Sequence, residues 1–209
     1  MQLIDKYRIY TQGAYSFQNF VTLDDSVLID ILSWRNHDDI RKWMYNPQKI
    51  AKDDHFAFVQ GLHKREDVYY WLISQNNTPV GVANITHVSY EMQDAEIGYY
   101  LRPDRSILAL NVLYDLCDFY FHSIDLQTLQ ACTMVDNHAA LLINIFLGFH
   151  YKCSFDKQCG EQNANFWHLE MKRDEFDRTK DRKRDLRCYL NFLKTYYKDG
   201  KISCDLKQY

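Results

Sequence analysis

The sequence contains little glycine and proline: seven Gly and three Pro in 209 residues. Turn residues and glycine-rich phosphate loops are therefore scarce. The chain has no P-loop, no dinucleotide G-x-G-x-x-G, no G-x-S-x-G and no H-E-x-x-H motif. These absences leave the motif-based assignments to ATPases, dehydrogenases, serine hydrolases and zinc peptidases without support.

Long apolar runs and blocks of one charge are also missing. No apolar run approaches the roughly 18 residues that a membrane helix needs, and residues 1–6 lack the apolar core of a signal peptide. The net charge is −3, from 25 basic and 28 acidic residues. Because no Lys/Arg block stands without acidic neighbours, we expect neither nucleic acid nor an anionic membrane as a partner.

The cysteines show no C-x-x-C pair, which disfavours a zinc or redox motif. Without a secretion signal they are interpreted as reduced thiols of a cytoplasmic protein. A metal site at Cys153 and Cys159 is the alternative, but no companion His/Cys pair has zinc spacing. We therefore expect no metal. The six are Cys117, Cys132, Cys153, Cys159, Cys188 and Cys204.

Aromatic residues are abundant, at 15% of the chain. Hydrophobic periodicity predicts an α/β domain built on a central sheet. Strands are predicted over 14–23, 68–75, 80–88, 95–101, 128–135, 149–155 and 165–171, helices over 24–34, 38–44, 52–63, 107–121 and 137–147, and a loop over 156–163. We place the domain at 1–171. The charged, then amphipathic segment 172–209 is predicted to be a helical extension, with a dimer or partner surface as the alternative.

Four stretches resemble the GNAT N-acetyltransferases. They are the strand 79–85, the strand Ala95-Glu96-Ile97-Gly98-Tyr99-Tyr100-Leu101-Arg102-Pro103, the helix from Ile107, and Asn137-His138-Ala139-Ala140-Leu141 with Leu147-Gly148-Phe149. The resemblance covers about residues 16–171. It implies a GNAT fold, with a mixed, mostly antiparallel and splayed sheet flanked by helices.

The resemblance also implies a site for acetyl-CoA. One strand would pair with the pantetheine arm, and the next helix N-terminus would hold the pyrophosphate, helped by Arg102 and Arg105. Backbone N–H groups near Tyr99 and Tyr100 would polarise the acetyl carbonyl. The implied residues are Tyr99, Tyr100, Leu101, Arg102, Arg105, Ser106, Ile107, Leu108, Ala109, Asn137 and Asn144.

A narrower resemblance lies in the N-terminal half. The series R-N-H at 35–37, W-M-Y at 43–45 and H-x-x-F at 55–58 is similar to the acetyltransferases of the pseudaminic acid pathway, which acetylate the 4-amino group of a UDP-linked dideoxy sugar. It implies that the acceptor is bound by Arg35, His37, Trp43, Met44, Tyr45, His55, Phe58 and Tyr99. Taken singly, Arg35 could instead form a surface ion pair, the apolar residues could be core, and His55 could cap a helix or lie at the surface.

Glu96 is the candidate that receives the amine proton, with a solvent-facing strand carboxylate as the alternative. His87, on the preceding strand, is a second candidate base because histidine titrates near neutrality.

Two positions depart from the family pattern. Ile107 stands where the family has the first glycine of its pyrophosphate loop, and its branched side chain should crowd the phosphate. Asn144 stands where the family has a tyrosine that protonates the leaving thiolate, and an amide cannot act as an acid.

The sequence therefore predicts transfer of acetyl from acetyl-CoA to a nucleotide-linked amino sugar, by direct attack in a ternary complex. A catalytically weakened protein that binds acyl-CoA or a sugar nucleotide, or serves as an interaction module, is one alternative. An acetyltransferase for a protein N-terminus or another amine is the second. A homodimer is possible.

Overall fold

Eight strands form one mixed sheet in the order β1-β2-β3-β4-β5-β6-β8-β7. The computed structural model describes residues 1–183, 185–198 and 201–202, without the side chains of 106–108, 180, 182 and 183. The strands are β1 (Tyr10–Gln12), β2 (Tyr15–Asn19), β3 (Tyr69–Gln75), β4 (Thr78–Ser89), β5 (Asp94–Leu101), β6 (Thr128–Met134), β7 (His150–Cys159) and β8 (Gln162–Lys172). A separate ribbon pairs β9 (Tyr197–Lys198) with β10 (Lys201–Ile202).

Helices cover both faces of the sheet. They are α1 (Asp25–Arg35), α2 (Asp38–Arg41), α3 (Lys52–Leu62), α4 (Ala109–Asp118), α5 (His138–Leu147), α6 (Arg173–Lys183) and α7 (Leu186–Tyr196). A 3-10 turn (Pro103–Leu108) precedes α4 and a π-helical turn (Phe119–Ser123) follows it. The helix-flanked α/β sheet predicted from the sequence is confirmed.

The sheet opens between its two central strands. β5 pairs with β4 as far as Leu101, but it pairs with β6, in parallel, only over Asp94–Glu96. β6 meanwhile pairs with β8 along its whole length. The two central strands therefore part after Glu96, which is the predicted splay.

Alternation along β5 divides its side chains between two cores. Ala95 and Ile97 are buried in the core that also holds α4 and α5. Tyr100 packs toward the smaller core under α1 and α3. Glu96 shares the Tyr100 side of the strand, so the α1 and α3 face is where polar β5 side chains emerge.

Three predicted elements were wrong in extent. The strand predicted over 14–23 ends at Asn19, where a 3-10 turn begins. The helix predicted over 38–44 ends at Arg41, because the chain then turns and the Arg41 guanidinium donates to the Pro47 carbonyl (2.8 Å). The helix predicted over 107–121 is an α-helix only over 109–118.

The loop predicted over 156–163 is also wrong. β7 and β8 continue as one antiparallel hairpin to Cys159 and Gln162. The tight turn between them needs Gly160, whose φ of +62° lies in the left-handed region. Two long strands therefore project beyond the rest of the sheet.

The C-terminal extension packs onto the domain through its aromatic residues. Phe176 of α6 is fully buried between the rings of Tyr114 and Phe121 (5.3 and 5.4 Å). In α7, Tyr189 and Phe192 contact Phe146 of α5 (5.0 and 5.4 Å). The predicted helical extension is confirmed as α6 and α7, while the domain boundary after 171 stays a prediction.

Among residues 1–183, 185–198 and 201–202, the structure contains no helix with the length and apolarity needed to cross a bilayer.

Candidate active site

Glu96 lies where the two central strands part. It is the last β5 residue paired with β6, and its side chain is 23% exposed. Glu96 Oε1 accepts a hydrogen bond from the Tyr45 hydroxyl (3.4 Å), and its Oε2 lies 3.7 Å from His87 Nδ1. Both predicted bases are thus brought together at the opening of the sheet.

His87 comes from an irregular part of β4. The β4–β5 register shifts between Thr86 and Ser89, and His87 takes a positive φ of 54°. Its side chain is 82% exposed. His87 can therefore exchange a proton with solvent while it lies beside Glu96.

Tyr45 forms the floor of this cleft. It follows the turn after α2, and its ring packs on Phe166 of β8 (5.0 Å between centroids). Lys157 of β7 places its Nζ 3.5 Å from the centroid of the Tyr45 ring. Burial, with Cys132 and Glu96 nearby, raises the pKa of Tyr45 far above its ordinary value. The hydroxyl therefore stays protonated and donates to Glu96.

Cys132 of β6 is a further neighbour of Tyr45 and Glu96. The thiol interacts with Tyr45 and Glu96. Burial raises its pKa, while Lys157 opposes that shift. At neutral pH Cys132 is consequently a thiol rather than a nucleophilic thiolate.

An aromatic wall continues from the cleft toward α1. Phe58 and Tyr70 meet edge to face (5.1 Å, 88°). Arg35, the last residue of α1, lies within electrostatic reach of Tyr70 and Tyr100, and burial lowers its pKa. Arg35 Nη2 donates to the Asn46 carbonyl (2.7 Å), whereas Nη1 is buried without a hydrogen-bond partner among the described residues.

Gly98 makes room for a polar side chain within this wall. A Cβ at Gly98 would lie 2.6 Å from Asn84 Oδ1, far inside contact distance. The Asn84 amide therefore lies directly over β5, between Glu96 and Tyr100.

Four other residues predicted to bind the acceptor have different surroundings. His37 caps α2, where its Nδ1 accepts from the Asp39 N–H (3.3 Å). His55 is 5% exposed and contacts the Leu28 carbonyl of α1, and burial lowers its pKa. Trp43 and Met44 are half-buried in the turn before Tyr45. A binding role for these four stays a prediction.

The residues predicted to hold the pyrophosphate surround Asp104. Arg102 donates to Asp104 (3.1 and 3.2 Å) and to the Pro79 carbonyl (3.0 Å). Arg105 Nε lies 3.6 Å from Asp104. Ala109 is the first residue of α4. The side chains of Ser106, Ile107 and Leu108 lie outside the described residues, so the expected crowding at Ile107 stays a prediction.

Asn137 and Asn144 have structural partners. Asn137 caps α5 by accepting from the Ala140 N–H (3.3 Å). Asn144 is 2% exposed, and its Nδ2 donates to Thr133 Oγ1 (3.0 Å). Thr133 lies on the β6 face opposite Cys132, so the structure does not bring Asn144 to Glu96.

Tyr99 also lies on that opposite face. Burial raises its pKa, with smaller contributions from Cys117 and from Tyr189 of α7. Leu101, two residues on, is buried beside it. Tyr189 of the C-terminal extension therefore lies within electrostatic reach of Tyr99.

Sequence reasoning missed three residues of the cleft: Tyr70, Cys132 and Lys157. On β6, Cys132 lies between buried Ala131 and Thr133. This alternation predicts that its side chain lies on the opposite face of the sheet from theirs. Lys157 was hidden because its strand was predicted as a loop. No local signal singles out Tyr70.

No group of three or more His, Cys, Asp and Glu side chains within the described ranges is arranged to hold a metal ion. The five cysteines there are all free thiols: Cys117, Cys132, Cys153, Cys159 and Cys188.

Comparison with known proteins gives a family match over most of the chain. Residues 19–150 match the family model described as acetyltransferase (GNAT) domain. Acetyltransferase PseH of Campylobacter jejuni subsp. jejuni is 27% identical over 151 residues, which cover 68% of this chain and 94% of that protein. About a third of this chain thus has no counterpart in that relative.

Two solved structures show the likeness of fold. The crystal structure of Campylobacter jejuni N-acetyltransferase PseH with acetyl coenzyme A superimposes with a TM-score of 0.59 at 20% identity, covering 76% of this chain and 99% of that one. Spermidine N-acetyltransferase from Vibrio cholerae, in complex with CoA and spermine, gives 0.69 at 12% identity, covering 78% and 98%.

Proposed function

The chain belongs to the GNAT acetyltransferase family and is an acetyl-CoA-dependent N-acetyltransferase, and from this premise we propose that it acetylates the amino group of a nucleotide-linked amino sugar. The observation that carries the proposal is Glu96, a carboxylate at the point where β5 and β6 part. Tyr45 and His87 lie against it. The similarity to PseH supports a sugar of the pseudaminic acid pathway as the acceptor.

The strands leave room for the co-substrate. Beyond Glu96 the described part of β5 has no pairing with β6, so its backbone is free to pair with the amides of a pantetheine arm. Acetyl-CoA supplies the activated acetyl group when it is bound. The residues that fit this role are Ile97 to Leu101, with Arg102 and Arg105 at the following turn.

The cleft can accept the proton that acetyl transfer releases. An amine that attacks a thioester carbonyl loses a proton as the new C–N bond forms, and Glu96 is placed to receive it. The Tyr45 hydroxyl holds the carboxylate in position. His87, which is 82% exposed, can then pass the proton to solvent.

The protonated state of Cys132 supports direct transfer. A covalent route would need a thiolate near the acceptor, and Cys132 is the cysteine at Glu96. Because burial raises its pKa, it is a poor nucleophile at neutral pH. Direct attack of the amine in a ternary complex requires no such intermediate.

The proposal is tested by incubating the protein with acetyl-CoA and a UDP-linked 4-amino-dideoxy sugar. We expect free CoA thiol to appear together with the singly acetylated sugar, and Cys132→Ala to retain most of the rate. Turnover with peptides or polyamines but not with amino sugars would contradict the acceptor. Abolished turnover in a folded Cys132→Ala protein would contradict direct transfer.

A further inference from the structure

The β7–β8 hairpin brings a lysine to the mouth of the cleft. Lys157 Nζ lies 3.5 Å from the centroid of the Tyr45 ring, and the hydroxyl at the edge of the same ring contacts Glu96. The ammonium and the carboxylate therefore lie at the face and the edge of one aromatic ring. Tyr45 separates two opposite charges that would otherwise pair.

The hairpin fixes where this ammonium lies. Phe155 stacks on Phe166 (5.7 Å, 16°), and Phe166 in turn packs on Tyr45. At the tip, a Cβ at Gly160 would lie only 3.2 Å from Pro47, so the tip of the hairpin touches the segment that follows Tyr45. Lys157 follows Phe155 by two residues and so points to the same side of the sheet.

Lys157 forms no ion pair with a carboxylate in the part of the chain that the structure describes. It is exposed, and none of the ion pairs found among the described residues includes it. The adjacent Asp156 accepts from Asn165 instead (2.8 Å). A cation over an aromatic ring at an exposed site is held weakly, so an incoming anion can take this ammonium as its partner.

We propose that Lys157 is a specificity-determining residue, which pairs with an anionic group of an acceptor whose amine lies at Glu96. The inference rests on the proposed function and deepens it, since the anion that suits an amino-sugar acceptor is the diphosphate of its nucleotide. A polyamine acceptor would instead bring its second cation against Lys157. The cleft therefore selects an amine that carries negative charge elsewhere.

The test compares two acceptors in steady-state kinetics: a UDP-linked 4-amino sugar and the same amino sugar without its nucleotide. For Lys157→Gln we expect KM for the UDP-linked acceptor to rise about tenfold, the effect of losing one charge-assisted contact. KM for the free sugar, KM for acetyl-CoA and kcat should stay unchanged. Lys157→Arg should restore KM for the UDP-linked acceptor. Added salt should reduce the difference in this KM between wild type and Lys157→Gln, because it screens the charge.

Lys152→Gln is the matched control, because Lys152 lies on the same strand and pairs with Glu170 (3.2 Å). It should leave both KM values unchanged. An unchanged KM in Lys157→Gln, or an equal rise for both acceptors, would overturn the inference.

Failure of the proposed function has a different signature, namely no acetylation of UDP-linked amines by the wild-type protein. In that case, calorimetric titration with UDP alone tests whether Lys157 binds the anionic group. Weaker binding by Lys157→Gln than by wild type supports the role, whereas equal binding, or no UDP binding to wild type, overturns it.

Discussion

Beside the β5–β6 opening, polar side chains differ in exposure and in hydrogen-bond partners between the two faces of the sheet. On the cleft face, the Glu96 side chain is 23% exposed and lies against His87 and the Tyr45 hydroxyl. On the covered face, Asn144 of α5 and Thr133 of β6 are buried and hydrogen-bonded to each other. The proposed proton acceptor therefore lies on the cleft face, whereas the buried amide and hydroxyl groups of the covered face pair with each other.

This difference bears on the position where the family has its tyrosine acid. Asn144 cannot donate a proton as an acid, and its amide is already engaged by Thr133. The structure therefore gives Asn144 a structural hydrogen bond, and its correspondence with the family's tyrosine acid stays a prediction.

The largest expected effect is on the cleft face. Glu96→Gln keeps the size of the side chain but removes the proton acceptor, so kcat/KM should fall by about 10²- to 10⁴-fold. The rate of CoA thiol release at acceptor concentrations well below KM measures it. His87→Gln should have a smaller effect because His87 only relays the proton. A Glu96→Gln enzyme with the wild-type kcat/KM would contradict the role of Glu96 as the proton acceptor of the cleft face.

The covered face should respond in stability instead. Phe176→Ala removes a fully buried ring between Tyr114 and Phe121 and should lower the free energy of unfolding by about 3–5 kcal/mol. Urea denaturation measures this loss. The control is Arg178→Ala on the same helix, which removes only an exposed ion pair and should cost less than about 1 kcal/mol. Equal effects would mean that α6 is not part of the core.

Asn144→Ala should have an intermediate effect. It leaves the buried Thr133 hydroxyl without its donor, which costs about 1–3 kcal/mol of unfolding free energy. Asn191→Ala, on an exposed part of α7, should change stability by less than about 0.5 kcal/mol. The same proteins assayed for acetyl transfer sharpen the comparison: a loss of kcat as large as that of Glu96→Gln, with stability intact, would place Asn144 in the chemistry.

The smallest effect concerns His55, between α1 and α3. Burial lowers its folded pKa below the unfolded value of about 6.5. A lowered histidine pKa contributes stability that is present above the unfolded pKa and is lost as the pH falls through the folded pKa. The Tm should therefore fall as the pH drops below about 6.5, by about 2–4 °C for each kcal/mol lost.

His55→Gln should flatten this dependence, whereas His63→Gln, at the exposed end of the same helix, should not. A thermal-shift series across pH measures both. If His55→Gln instead raises KM for the acceptor with the Tm profile unchanged, His55 belongs to the binding site and not to the core.

Part of the site could be predicted from the sequence. Glu96, His87 and Tyr45 were all predicted as site residues, but the two faces of β5 were not separated: Tyr99 was assigned to the acceptor site, although it lies on the face opposite Glu96. Lys157 was not predictable in the same way, because its contact with Tyr45 depends on the register of a long hairpin. Tyr70 lies on β3 and Cys132 on β6, which are distant in sequence. No local sequence pattern predicts that both side chains line the same cleft.

By itself, the sequence determined the order of the elements and the glycine-poor turn before α4. These follow from local spacing, since backbone geometry sets the period of a strand or helix. The tertiary structure alone decided that Tyr45 lies between Glu96 and Lys157, that Asn144 donates to Thr133, and that α7 packs on Phe146 of α5. Those outcomes depend on the packing of the whole sheet and its helices, which brings distant segments together.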